Sequence, residues 1–389
     1  MNVLMFGWEF PPYKTGGLGT ACYGLTKGLS QQGIDVTFVV PFDSEDVSPA
    51  FVKLVGVKML GVKSLLSPYQ TGKQYCSVKN KRSVYGCDLF AEVDRYAVEA
   101  SKLMNSSFDV IHAHDWMTYR AGILAKKRFK KPFIAHIHAT EYDRTAGHPD
   151  LLIVEREAEG LRCADFVVAN SYRLKEEVMR FYNIPGRKIV VVHWAIDHDD
   201  PASNVVHVPG WKEKTVLFLG RITVQKGPDY FVELASKVLN YCNNVRFVMA
   251  GSGDMLPSVI SKSIECGLSD KMVFTGLLAG GDVHKAFSMA DLFVMPSVSE
   301  PFGLVALESI KNGTPCIISK QSGVSEVLHH CFKVDFWDVD KMANIIISAL
   351  SNKEVLDEMR ARSFEEVERM TLDIPAKKII NLYNKVVSG

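Results

Sequence analysis

Short apolar runs rich in β-branched residues recur through the first half of the chain, and stretches with helical spacing of apolar positions follow them. The runs cover residues 3–6, 36–40, 110–112, 133–136, 166–169 and 189–192, with helical patterns over 17–32, 116–128 and 171–182. Strands that read as continuous apolar runs, without alternation, are buried on both faces, as in a parallel sheet flanked by helices. After a polar stretch holding Pro201, Pro209 and Gly210 the rhythm begins again, with strands predicted at 216–219, 245–250, 273–275, 292–295, 316–318 and 332–334. The pattern predicts an α/β protein of two Rossmann-like, doubly wound domains: residues 1–196, a linker over 197–213, and residues 214–365. Residues 366–389 read as a C-terminal helix crossing back to the first domain. Two such domains would face each other across a deep cleft lined by the carboxyl ends of their strands, so function is expected in the strand-to-helix loops.

Residues 44–95 break this rhythm. Short β-like pieces at 51–57 and 74–78 read as an excursion from the first sheet in the form of an antiparallel hairpin. Its basic cluster, Lys79, Lys81 and Arg82, reads as a solvated turn or as charge near an acceptor.

Composition narrows the classes. With 47% hydrophobic residues in 389, the chain can bury two sizeable cores and does not read as disordered. Basic and acidic residues number 45 and 44, so no overall field draws the protein toward nucleic acid. Eight cysteines without a C-x-x-C pair predict reduced thiols rather than a zinc ladder. The N-terminal residues lack a basic leader region, and no apolar run of about 18 residues occurs, so no spanning segment is predicted and the expected location is the cytoplasm. No oligomeric state can be read from these features.

Three loops carry chemistry. The first, after the first strand, holds Lys14, Thr15, Gly16 and Gly17. Small residues at a helix N-terminus let backbone amides approach an anion, and tight packing is the alternative reason for them. The loop fits neither the dinucleotide fingerprint nor a Walker sequence. The second, after the first strand of the second domain, holds Gly220, Arg221, Gln225, Lys226 and Gly227. Its two cations can converge on phosphate oxygens, or simply form a solvated turn. The third runs from Ser299 through Glu300, Pro301, Phe302, Gly303 and Leu304 to Glu308, and is predicted to open a helix with Pro301 in its first turn. Glu300 and Glu308 would then lie about two turns apart on one side, suited to a ligand with several hydroxyls.

Histidines supply the rest. His112 and His114, and likewise His136 and His138, sit two apart at strand ends, so each pair shares a face. Backbone-satisfied histidines, sugar-facing histidines and a metal site are the three readings, and no further spaced Asp or Cys completes a metal set. Asp115 and Trp116 follow directly and would suit a hydroxylated acceptor. Asp197 and Asp199 form a D-x-D that reads as a turn.

In order and in topological position, these groups resemble the retaining glycosyltransferases of the GT-B fold, specifically the glycogen and starch synthase branch. The groups are Lys14 to Gly17, His112 to Trp116, His136 to His138, Gly220 to Gly227, and Glu300 with Glu308, and the resemblance spans nearly the whole chain. It implies that Lys14, Gly16 and Gly17 approach the diphosphate of a nucleotide-sugar, and that Arg221 and Lys226 neutralise the departing diphosphate. It implies that Glu300 binds the donor sugar, Glu308 the ribose, and the amides of Phe302, Gly303 and Leu304 a phosphate. His138 would contact the sugar near its reacting face, with Asp115 and Trp116 on the acceptor side. The catalytic set implied is Glu300, Arg221, Lys226 and His138, with no metal and no other cofactor. Front-face transfer needs no protein base, since the leaving diphosphate helps take the acceptor proton, and domain closure would exclude water.

The implied reaction moves glucose from UDP- or ADP-glucose to the non-reducing end of an α-1,4-glucan. Two departures matter. Glu308 is present where the larger bacterial synthases usually replace it, and Ala139 follows His138 where glycogen synthases commonly carry asparagine. They keep open another sugar or acceptor, of mannosyl, sucrose or cell-surface polysaccharide type, and a sugar-nucleotide epimerase; a phosphorylase would need a longer chain, and a non-catalytic glycan binder would not need the Arg221, Lys226 and Glu300 set.

Overall fold

The computed structural model describes residues 1–12, 16–42, 49–57, 89–102, 107–199 and 212–388. The chain divides into two compact units, one formed by Met1–Glu141, Pro149–Trp194 and Leu372–Gly389, the other by Tyr142–His148 and Ala195–Thr371. The sequence-based boundaries are corrected at two places. The change of unit near the C-terminus falls at Leu372, beyond the end of a helix that runs on to Glu368, and residues 142–148 group with the second unit, where buried Asp143 is hydrogen-bonded to the Ser299 hydroxyl.

Strands β1 (Asn2–Phe6), β2 (Asp35–Val40), β3 (Lys53–Gly56), β4 (Val110–His114), β5 (Phe133–Ile137), β6 (Phe166–Ala169) and β7 (Ile189–Val191) belong to the first unit. They form one parallel sheet in the order β3-β2-β1-β4-β5-β6-β7. The second unit holds β8 (Lys214–Leu219), β9 (Val245–Ala250), β10 (Met272–Gly276), β11 (Leu292–Met295), β12 (Cys316–Ser319) and β13 (Phe332–Val334), parallel in the order β10-β9-β8-β11-β12-β13. Helices α1 (Gly17–Gln31), α2 (Leu89–Lys102), α3 (Trp116–Phe129), α4 (Glu141–Arg144), α5 (Leu151–Cys163) and α6 (Tyr172–Tyr182) precede β8. They are followed by α7 (Pro228–Leu239), α8 (Leu256–Glu265), α9 (Gly281–Ser288), α10 (Leu304–Lys311), α11 (Val339–Ser351), α12 (Lys353–Glu368) and α13 (Asp373–Ser388).

The continuous apolar runs are central strands: every residue of β4, β5, β11 and β12 is buried, because helices cover both faces. The predicted hairpin is corrected. Residues 53–56 form the edge strand β3, paired in parallel with β2 from Thr37↔Lys53 to Val40↔Gly56, and a parallel neighbour cannot be reached by a tight turn. The expectation for 74–82 falls outside the described residues. Among those described, six cysteines are free thiols, and no helix is long and apolar enough to cross a membrane.

Strand order reverses between β1 and β4 in one sheet and between β8 and β11 in the other. Such switch points are where open α/β sheets leave a crevice for ligands, and the loops after these four strands hold the residues singled out above.

Candidate active site

In the second unit, the loop after β8 is pressed against the loop after β11. Gly227 has φ of +64°, and a Cβ placed there would lie 2.3 Å from the Pro296 carbonyl oxygen, so only glycine fits. Gln225 is buried; its backbone carbonyl accepts from the Val298 amide at 3.0 Å, and its side-chain oxygen accepts from Arg221 Nη2 at 3.0 Å. Lys226 Nζ donates to Glu300 Oε2 at 2.5 Å, with the two side chains 18% and 7% exposed. The Ser297 hydroxyl donates to the same carboxylate oxygen at 3.2 Å. The structure thus brings together Arg221, Lys226 and Glu300 on adjoining loops of one sheet.

Glu300 is not on the helix that the sequence predicted for it. Its amide donates to the Gln321 carbonyl at 2.9 Å, its carbonyl accepts from the Gly323 amide at 2.9 Å, and the Phe302 carbonyl accepts from the Val324 amide at 2.7 Å. These bonds hold 300–302 extended beside 321–324. The chain enters α10 only after turning at Gly303, φ +109°, so Pro301 lies outside the helix. Glu308 sits half-buried on the second turn of α10. The Leu304 and Val305 amides open the helix, where amides have no carbonyl of their own helix to meet.

In the first unit, Lys14 lies outside the described residues. Gly16 precedes α1 with extended backbone, and among the described residues a Cβ at Gly17 would meet nothing within 4 Å. Further along, the register His114↔His136 sets two H-x-H pairs side by side on β4 and β5 and beyond. His112 and His114 stack at 4.5 Å between centroids, as do His136 and His138, and Trp194 stacks on both of the latter. His112 Nε2 meets His136 Nδ1 at 3.1 Å, His114 Nδ1 meets His138 Nε2 at 3.0 Å, and Tyr383 on α13 meets His112 Nδ1 at 2.6 Å. Burial, reinforced by the neighbouring imidazoles, pushes His112, His114 and His136 well below the ordinary histidine value, so all three are neutral at pH 7.

Two groups of side chains among the described residues could hold a metal ion. His112, His114 and His136, or Cys22, His114 and His138, are close enough to suggest one. In each bonded pair the ring centroids are 5.2 Å apart and the nitrogens about 3 Å apart, so the nitrogens face each other along the line between rings. The same spacing suits a hydrogen bond between the two rings of each pair.

Asp115 holds φ of 60° and ψ of 167°, a region costing a non-glycine residue of order 1–3 kcal/mol. It is held there by its amide donating to the His136 carbonyl at 2.9 Å and by Asp115 Oδ1 accepting from the His138 amide at 2.7 Å. Asn170 adds a third restraint, donating to the His138 carbonyl at 3.0 Å. Trp116 is corrected: its ring is 2% exposed and packs on Phe90 at 5.7 Å, a core residue of α3 rather than a platform for an acceptor. Asp197 and Asp199 form the expected turn, with the Asp199 amide donating to Asp197 Oδ1 at 3.1 Å. Tyr383, Trp194, Asn170 and Ser297 were not found by sequence reasoning, since each gains its meaning only from the partner that the fold brings to it.

Comparison with known proteins shows the family. Residues 2–187 match the family model for the starch synthase catalytic domain, and residues 203–366 that for glycosyl transferases group 1. An uncharacterized glycosyltransferase of Methanocaldococcus jannaschii is 30% identical, the match covering 98% of each chain. This chain belongs to the GT-B glycosyltransferases. Within the group 1 and starch-synthase-like glycosyltransferases, the glycogen synthase of Mycobacterium tuberculosis is 25% identical over 84% of this chain and 80% of its own. The crystal structure of Anabaena HepE in complex with UDP and glucose shares the fold, with TM-score 0.73 and 16% identity, covering 99% of this glycosyltransferase and all of HepE.

Proposed function

We propose that this enzyme is a retaining hexosyltransferase that moves glucose from UDP- or ADP-glucose to the non-reducing end of an α-1,4-glucan. The observation that carries the reading is the Lys226 to Glu300 pair beside Arg221 at the switch point of the second sheet. Two cations suit the diphosphate of a sugar nucleotide, and a buried carboxylate suits sugar hydroxyls. In this reading Arg221 and Lys226 stabilise the charge that develops on the leaving diphosphate, and no metal is called on for it. Glu300 binds the sugar, Glu308 the ribose, and the amides of Phe302, Gly303 and Leu304 donate to a phosphate at the start of α10. Lys14, Gly16 and Gly17 are assigned to the distal diphosphate, His138 to the sugar, and Asp115 to the acceptor. The choice of glucan is supported by the likeness to a glycogen synthase, and that of glucose by the complex of HepE with UDP and glucose.

The experiment is nucleotide release, followed by mass spectrometry across UDP-, ADP- and GDP-sugars with and without glycogen or short maltooligosaccharides, and repeated in EDTA. Glucan-dependent release with lengthened products, unchanged by EDTA, is the expected result. Release that ignores glucan overturns the acceptor, and loss of release in EDTA overturns the metal-free mechanism.

A further inference from the structure

Gln225 is a polar side chain only 1% exposed in the loop after β8. Burying an amide is unfavourable unless its polar atoms are bonded, and an apolar side chain would fill the same space without that penalty. The bond it makes is to Arg221, whose Nη2 donates to Gln225 Oε1 at 3.0 Å. A guanidinium has donors only, so the amide oxygen is the atom that must face it, and the direction of Gln225 is settled. The backbone beneath Arg221 is fixed separately, by the loop after β9. The Ile222 amide donates to the Ser252 carbonyl at 2.9 Å, the Met255 amide donates to the Ile222 carbonyl at 3.1 Å, and a Cβ at Gly251 would lie 1.8 Å from the Gly220 carbonyl oxygen. One loop therefore holds the root of Arg221, and Gln225 holds its tip.

The main chain of Gln225 serves the other loop. Its carbonyl accepts from the Val298 amide at 3.0 Å and from the Ser299 amide at 3.4 Å, between Ser297 and Glu300. These bonds use different atoms from the bond to Arg221, so a substitution of the side chain breaks one link and spares the other. The acceptor offered to Arg221 is also a neutral amide. It directs the guanidinium without cancelling its charge, whereas the partner of Lys226 is the carboxylate of Glu300.

We propose that Gln225 is a positioning residue that presets the Arg221 guanidinium for the diphosphate of the nucleotide-sugar, and that its neutrality is part of that role. This rests on the part given to Arg221 in the proposed function. An arginine whose tip is held before the ligand arrives gives up less rotamer freedom on binding, and fixed donors act most strongly on charge that develops in the transition state.

Two substitutions separate the roles. Gln225→Met keeps the size and the main-chain bonds and removes the acceptor, while Gln225→Glu keeps the acceptor and adds a charge. In nucleotide release, Gln225→Met is expected to lower kcat roughly tenfold, less than the about 10²-fold loss expected of Arg221→Ala. In an Arg221→Ala background the same substitution is expected to change nothing further, because it acts through the arginine. Equal losses in both backgrounds overturn the proposal, since a side chain that only fills the core matters as much without Arg221 as with it. Folded Gln225→Glu is expected to bind UDP and ADP several-fold more weakly in titration calorimetry, and affinity equal to that of the parent overturns the need for a neutral partner. The calorimetric form of the double-mutant cycle needs no turnover. Coupling of Gln225 to Arg221 in nucleotide binding without any transfer would overturn the transferase reading and leave this proposal, and a parent protein that binds neither nucleotide overturns both.

Discussion

Lys226 Nζ lies 2.5 Å from the carboxylate of Glu300, although 74 residues separate them. The cation assigned to the diphosphate is thus already neutralised by the carboxylate assigned to the sugar. On the proposed roles, donor binding would draw Lys226 into a shared position and so tie recognition of the two halves of the donor together. Glu300→Gln should therefore split the two: kcat is expected to fall roughly 10²-fold, while the nucleoside diphosphate product binds more tightly to the freed lysine. Titration calorimetry with UDP and ADP beside steady-state kinetics measures both, and equal weakening of both would count against the arrangement.

Removing the cation instead leaves Glu300 uncompensated at 7% side-chain exposure. Lys226→Ala is expected to destabilise the second unit by about 3 kcal/mol, the low end for breaking a buried pair, and Lys226→Ala with Glu300→Ala by clearly less. A double-mutant cycle by urea unfolding checks it. Additive losses would mean that the pair is not coupled.

Stability of the first unit should depend on pH through its buried histidines. His112, His114 and His136 stay neutral in the folded protein below the pH at which unfolded histidines, near 6.5, take up protons. The unfolded state binds more protons as pH falls below that value, so stability is full above it and lost on acidification. The denaturation midpoint should therefore fall as the pH is lowered from 7 toward 5. A flat denaturation midpoint over this range would rule out the neutral tetrad.

Asp115 offers a comparison free of absolute values. At φ 60° and ψ 167° glycine is unstrained and alanine is not, and both lose the bond to the His138 amide. Asp115→Gly should be about 1–3 kcal/mol more stable than Asp115→Ala. Both should lose turnover relative to the parent protein if the placement of His138 matters, and equal stability of the two variants would argue that the backbone relaxes.

Much of this was legible in the chain alone. The strands announced themselves because a sheet covered on both faces demands unbroken apolar runs, as in Leu292–Met295. Gly227, Arg221 and Lys226 stood out because a tight turn beside cations has few other uses in a loop after a strand. The start of α10 did not, because nothing local marks 300–302 as extended; the hydrogen bonds to 321–324 decide it, and they exist only once β12 lies beside β11. Trp116 misled for a related reason: beside an acidic residue it looks exposed, and only its packing on Phe90 places it in a core.

Residue order by itself determined the α/β class, the two doubly wound sheets and the loops that carry charge, because hydrophobic period and turn chemistry act over a few neighbours. Tertiary structure alone decided which of those charges meet. The Lys226 to Glu300 pair, the imidazole tetrad built by the register of β4 on β5, and Tyr383 reaching His112 across 271 positions depend on strand pairing and helix packing. Such contacts follow from burying apolar faces together, so the polar groups carried on those faces acquire partners that no local pattern specifies.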